Sequence, residues 1–147
     1  MVKICCGFGG RDTSYDIVPQ LRECLEQAIE LGCDTFYLGN YGNFDHIMSR
    51  ETRILKEKYP HIKRVLVIPY ATKEIEMNRM YYETYYDCII LPDKARTVHP
   101  KFAIPKKNEW VIDNSDVVIT CPASYYGGSR RAEEYAQKKN KIILPVK

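Results

Sequence analysis

Six short β-prone runs alternate with stretches whose apolar residues recur at three-and-four spacing, and this alternation constrains the fold more than any other feature of the chain. The runs are Val2–Cys6, Asp34–Leu38, Arg64–Tyr70, Cys88–Leu91, Val117–Cys121 and Lys141–Val146. Between the first two, Leu21, Cys24, Leu25, Ala28 and Ile29 outline an amphipathic helix that Gly32 closes. Asp45 stands where it can cap a second helix marked by Ile47, Ile54 and Leu55, and Pro60 ends it. A tyrosine-rich helix is predicted between Ala71 and Asp87, a short one over Asn108–Asp113, and a last one from Arg130 to about Lys139. Asp93 to Pro105, which holds Pro100 and Pro105, is predicted as loop. Strand–helix alternation requires right-handed crossovers. The expected class is therefore α/β: a Rossmann-like, mostly parallel sheet with helices on both faces, built as one domain over residues 1–147.

Composition narrows the function classes. With 45% hydrophobic and 28% charged residues, the 147-residue chain has the makeup of a folded domain with one substantial core. A net charge of +3 is too small for a dedicated nucleic-acid binder, although a local basic patch is compatible with it. No apolar stretch reaches the length of a membrane span and no signal-like segment opens the chain, so a cytoplasmic protein without membrane contact is expected. The six cysteines form no C-x-x-C pair, and His46, His61 and His99 follow no ligand spacing. Reduced buried thiols, no metal and no required cofactor are the expectation.

In a parallel sheet of this kind, ligands bind beyond the carboxyl ends of the strands, where strand order reverses. Three glycine-bearing loops fall on that edge: Gly7–Asp12, Gly39–Asp45 and Pro122–Ser129. The first is not a dinucleotide fingerprint, because Asp12 occupies the sixth position of the would-be G-x-G-x-x-G. In the third, Gly127-Gly128-Ser129 opens a helix that carries Arg130 and Arg131. Unpaired N–H groups at a helix N-terminus attract anions, and two arginines there oppose the helix dipole unless an anion lies nearby.

Gly9-Gly10-Arg11-Asp12, Gly42-Asn43-Phe44-Asp45, Val67-Ile68-Pro69-Tyr70, the run Lys107 to Asp116, and Gly127-Gly128-Ser129 with Tyr135-Ala136 occur together and in this order. Their combination resembles the SLOG superfamily, which includes the DprA/Smf proteins and the Lonely-guy phosphoribohydrolases. The likeness is strongest to small bacterial and phage proteins of the YpsA/YoqJ-like type. It implies a nucleotide or nucleotide-derived phosphorylated ligand, contacted by Gly9, Gly10 and Arg11 from one side and by Gly127, Gly128 and Ser129 from the other. Gly42, Asp45, Lys107 and Arg130 complete the expected ligand-binding set, and a homo-oligomer is also implied.

The Lonely-guy enzymes carry P-G-G-x-G-T-x-x-E and an upstream Arg-Lys pair. Here Ala132 falls where their catalytic glutamate belongs, one residue before Glu133, and a one-residue offset on a helix is a rotation of about 100°. Lys107-Asn108 stands in place of the Arg-Lys pair. The favoured expectation is a nucleotide-binding sensor or adaptor without strong catalysis. The alternatives are an N-glycosidic hydrolase using Glu133 and a single-stranded DNA binder of DprA type.

Overall fold

In a computed structural model, residues 3–121 and 127–147 are described. The six strands are β1 (Lys3–Gly9), β2 (Cys33–Leu38), β3 (Lys63–Val67), β4 (Cys88–Ile90), β5 (Val117–Cys121) and β6 (Ile142–Pro145). They form one parallel sheet in the order β4-β3-β2-β1-β5-β6. Helices α1 (Val18–Glu30) and α2 (Asn43–Lys58) follow β1 and β2, while α3 (Lys73–Met77) and α4 (Arg79–Tyr85) link β3 to β4. The chain then returns across the sheet through α5 (Asp93–Arg96) and α6 (Pro100–Asp113), and α7 (Gly128–Lys138) links β5 to β6. The α/β, Rossmann-like expectation holds.

Strand alternation separates the two layers. Cys5, Val117 and Ile119 point into a cluster with Leu21, Leu25 and Phe44, under α1 and α2. Their neighbours Cys6 and Val118 point the other way, against Val111 and Ile112 of α6 and Ala132 and Ala136 of α7. Since successive strand residues face opposite sides, one five-residue strand such as β5 serves both cores. Right-handed crossovers carry the sheet outward from β1 to β4 with α1 and α2 on one face. Reversal of direction then places β5 and β6 beyond β1, with α6 and α7 on the other face. The reversal lies between β1 and β5, which are paired from Cys5↔Val117 to Gly9↔Cys121.

Several elements depart from the sequence reading: Asp93–Arg96, expected as loop, is the short helix α5, and the third strand ends at Val67 rather than Tyr70. Strand β1 continues through Gly7-Phe8-Gly9, residues expected in a loop, because the α2 helix packs directly on its backbone. A Cβ on Gly9 would overlap the Phe44 ring and stand 2.7 Å from the Phe44 Cβ. Gly9→Ala is therefore expected to cost about 1–3 kcal/mol through overpacking. Urea denaturation measures this, and a change under about 0.5 kcal/mol would refute the packing role.

Helix α6 begins at Pro100 and includes Pro105, where a loop was predicted. Pro100 lies in the first turn, where a missing N–H forfeits no helical bond, and the His99 ring nitrogen accepts the Lys101 N–H at 3.1 Å. Pro105 gives up one bond farther in, and the burial of Ala103, Lys107, Val111 and Ile112 keeps the helix on the sheet. The tyrosine-rich segment is two helices rather than one. Asn78 divides them, and its side chain donates to the Glu74 carbonyl at 2.8 Å.

The link between α2 and α4 is Arg64, which is only 2% exposed. Its Nε donates to Thr52 Oγ1 at 3.1 Å and its Nη2 to the Ser49 carbonyl at 2.6 Å, while Nη1 reaches the Tyr85 carbonyl. The guanidinium lies 4.8 Å from the centre of the Tyr86 ring. Burial lowers its affinity for the proton, and among the described residues no carboxylate forms an ion pair with its side chain.

Candidate functional site

At the carboxyl ends of β1, β2 and β5, where strand order reverses, lies an open cleft of about 370 Å³. One wall is the end of β1 and the loop behind it, Gly9-Gly10-Arg11-Asp12. The facing wall is the start of α7, Gly127-Gly128-Ser129. Lys107 and Asn108 of α6 close one side, and Phe8 and Tyr37 contribute aromatic surface from the adjacent strands. Pro122 to Tyr126, expected to form part of the third glycine-bearing loop, lie outside the described residues.

The cleft brings together Gly9, Gly10, Arg11, Asp45, Lys107, Gly127, Gly128 and Ser129 of the expected set. Gly42 is not in its lining. With φ at 93°, Gly42 turns the chain into α2, and a Cβ there would come within 2.8 Å of Arg11 Cα. Arg130 also stays out of the lining: its Nη1 donates to Glu133 Oε1 at 2.7 Å. Glu133 is 8% exposed and absent from the cleft wall, while Ala132 packs in the core between α7 and the sheet.

The two loops on the β1 side are joined by backbone. The N–H of Asn43 donates to the Arg11 carbonyl at 2.8 Å, and that of Phe44 to the Gly10 carbonyl at 3.3 Å. The first turn of α2 therefore spends its unpaired donors on the neighbouring loop. Arg11 lies over the exposed Tyr41 ring, 4.7 Å from its centre, at the mouth of the cleft.

The α7 end differs. Gly127, with φ at 115°, precedes the helix without a side-chain cap, and the N–H groups of Gly128 and Ser129 donate to no acceptor among the described residues. Such a helix start attracts an anion through its aligned peptide dipoles.

Lys107 is 7% exposed and lines the cleft, and its amine has no hydrogen-bond or ion-pair partner among the described residues. Burial pushes its proton affinity below the ordinary lysine range, and the charge of nearby Asp45 only partly opposes this. Burial in turn raises Asp45 above the usual carboxylate range, against the pull of Lys107 and of the Tyr41 N–H. That N–H donates to Asp45 Oδ2 at 2.9 Å, and the carboxylate lies so close to Gly39 that a Cβ there would be 2.5 Å from Oδ2. A buried amine without a partner is costly, and a ligand anion in the cleft would compensate it.

Sequence reasoning placed Phe8 and Asp12 in a loop on the binding edge without giving them a role, and missed Tyr37, Ile104 and Val111 as lining residues. Strand alternation offered a signal for Phe8, which shares the face of Cys6. Tyr37 is held by stacking on Trp110, with ring centres 5.6 Å apart, a contact between elements distant in the chain. Among the described residues no group of three or more His, Cys, Asp or Glu converges as a metal site, and no helix is long and apolar enough to cross a membrane.

The fold is similar to that of DNA processing protein A from Helicobacter pylori, a protein described for its single-stranded DNA binding mode. The TM-score is 0.66 at 16% identity, over 97% of this chain and 64% of that one. This chain thus spans somewhat under two thirds of that protein's length. Comparison with curated proteins returns no significant match. The family profile described as YpsA, YspA SLOG family, matches residues 5–144, which include both glycine-bearing walls of the cleft and the lysine between them. The chain belongs to the YpsA SLOG family.

Proposed function

We propose that the cleft binds a phosphorylated, nucleotide-derived small molecule, and that the protein acts as a sensor or adaptor without strong catalysis. The observation that carries this reading is Lys107, a buried amine in a cleft wall that has no hydrogen-bond or ion-pair partner among the described residues. The phosphate lies between its Nζ and the N–H groups of Gly128 and Ser129, where full and partial positive charge converge. The base or another flat apolar group lies along Phe8 and Tyr37, whose rings supply stacking surface. Asp45 and Asp12 accept hydrogen bonds from sugar hydroxyls and disfavour a long polyanion.

Two features favour binding over N-glycosidic hydrolysis: Glu133 is engaged by Arg130, and Ala132 has no functional group to offer. Hydrolysis needs a carboxylate beside the glycosidic carbon, and Glu133 is not in the lining. The structural likeness to a single-stranded DNA binder motivates the second reading, against which stand the two cleft aspartates and the modest net charge.

Isothermal titration with AMP, ADP-ribose, NAD and cyclic nucleotides, alongside a single-stranded oligonucleotide, separates these readings. Saturable micromolar binding of a mononucleotide-type ligand, weakened by Gly128→Pro and without release of free base, is the expected result. Binding of the oligonucleotide alone, with a steep salt dependence, would overturn it in favour of the DNA reading. No binding by any of these compounds would overturn both.

A further inference from the structure

Asp45 and Lys107 line one cleft from two helices, α2 and α6, and no ion pair joins them. Each still acts on the charge of the other, so the two groups are near without being paired. Other lysines are differently placed. Lys56, Lys58, Lys94, Lys106 and Lys139 are each paired with a carboxylate, and a paired amine keeps its proton and has no lone pair free to attack. Among the described lysines Lys107 alone is buried, and it lines an open cleft. Burial holds its proton affinity below the ordinary lysine range, so near neutral pH it offers more free amine than an exposed lysine does.

Asp45 is fixed through one oxygen. Its Oδ2 accepts the Tyr41 N–H at 2.9 Å, while Oδ1 takes no hydrogen bond among the described residues. Burial raises its proton affinity, which brings the carboxyl closer to exchanging a proton at neutral pH. A desolvated amine near such a carboxyl, both reachable through one cleft, is the equipment for addition to a carbonyl carbon.

The surroundings of the pair set the occupant. The start of α7 offers the N–H groups of Gly128 and Ser129 to an anion, and Asp12 offers its carboxylate to hydroxyls. A phosphorylated hydroxyaldehyde meets both and leaves its carbonyl for the amine. We propose that the cleft also takes phosphorylated aldehydes, with Lys107 Nζ forming a reversible imine at the carbonyl carbon and Asp45 moving the protons. This rests on the phosphate seat at α7 in the function proposed above. A nucleotide-type ligand has no aldehyde, and the amine then meets its phosphate instead.

The step balances with water as the by-product. The nitrogen lone pair attacks the carbonyl carbon, a nitrogen proton passes to the carbonyl oxygen, and a carbinolamine forms. Asp45 in its acid form then protonates the departing hydroxyl, water leaves, and a protonated imine remains near the Asp45 carboxylate. Hydrolysis reverses each transfer.

Trapping on the full chain tests this. The protein is incubated at neutral pH with glyceraldehyde 3-phosphate and sodium cyanoborohydride, which reduces an imine to a stable secondary amine, and the adduct is mapped by peptide mass spectrometry. The expected result is a single adduct on Lys107, formed about tenfold or more faster than on any other lysine. Glyceraldehyde without the phosphate is expected to label Lys107 about tenfold more slowly. Lys107→Arg should remove that adduct with circular dichroism unchanged, and Asp45→Asn should slow its formation about tenfold or more. Labelling spread over exposed lysines with Lys107 unmodified overturns the proposal. Equal rates with both aldehydes overturn it as well, because the seat at α7 then plays no part, and an unchanged rate in Asp45→Asn overturns the proton transfer assigned to that residue. Mononucleotide binding in the titrations above, without any adduct on Lys107, overturns this inference alone and leaves the proposed function standing. Failure of both removes the phosphate seat that they share.

Discussion

Replacing Lys107 with methionine is expected to make the protein more stable and less able to bind. In the wild-type chain the amine is buried in the cleft wall without a partner among the described residues, and burial lowers its proton affinity. A lysine whose folded-state proton affinity is depressed binds protons more weakly folded than unfolded. Its penalty is present in full below the folded-state pKa, and it is relieved as pH climbs from there toward the unfolded value of about 10.4. At pH 7 the Lys107→Met chain is expected to gain about 1–2 kcal/mol, since a methionine fills the same space without a charge to desolvate. The gain is partly offset because Asp45 loses a favourable charge nearby.

Urea denaturation from pH 7 to pH 10 measures both parts: the wild-type chain stabilises relative to the variant, and the gap narrows, as pH rises from the depressed folded-state value toward the unfolded one. A charged contact to a ligand phosphate is worth roughly 1.5–3 kcal/mol, so affinity in the titrations above is expected to fall about 10- to 100-fold. A variant less stable than wild type at pH 7 would show that the amine is paired in solution and would remove the main support for the cleft as an anion site.

The opposite behaviour is expected at Arg64, a buried cation each of whose three guanidinium nitrogens donates to a protein acceptor. Arg64→Ala is expected to cost about 3–4 kcal/mol, from the lost charged hydrogen bonds to Ser49 and Tyr85 and the cavity beside Tyr86. Arg64→Lys should recover only part of this, because one ammonium cannot span the Thr52 hydroxyl, the Ser49 carbonyl and the Tyr85 carbonyl in the way a planar fork does. Chemical denaturation with intact circular dichroism at zero denaturant is the measurement. A loss under about 1 kcal/mol for the alanine variant would mean that α4 is held by its tyrosines alone. The two buried cations thus have opposite expected signs, and the difference between them is the presence or absence of acceptors among the described residues.

The sheet, its direction and its layering were legible in the sequence, because the unbroken apolar run of β5 and the three-and-four spacing in α1 are local patterns that the core then uses. The start of α6 was not, since Pro100 and Pro105 are breakers by local rule and it takes packing of Ala103 and Lys107 to keep that helix. The glycine-bearing walls of the cleft were legible for the same local reason. The role of Gly9 was legible only in part: the residue lines the cleft, yet what demands a glycine there is the Phe44 ring, thirty-five residues away in sequence. Lys107 appeared in sequence as the remnant of an Arg-Lys pair, and its isolation became visible only when neither α2 nor β1 offered it an acceptor. Tyr81 to Tyr86 appeared as a crowd, and helical geometry sorts it into a ladder facing in and a ladder facing out.

The backbone bonds from Asn43 and Phe44 to the loop after β1 give the cleft a heading. Two helices begin near its rim, and each could in principle offer a positive pole to an anion. In α2 that pole is already neutralised by the carbonyls of Gly10 and Arg11, whereas α7 keeps its first N–H groups without a protein acceptor among the described residues. The cleft is thus asymmetric end to end: on the proposed reading, a phosphate-bearing ligand has its charged terminus toward the start of α7 and its neutral portion toward β2.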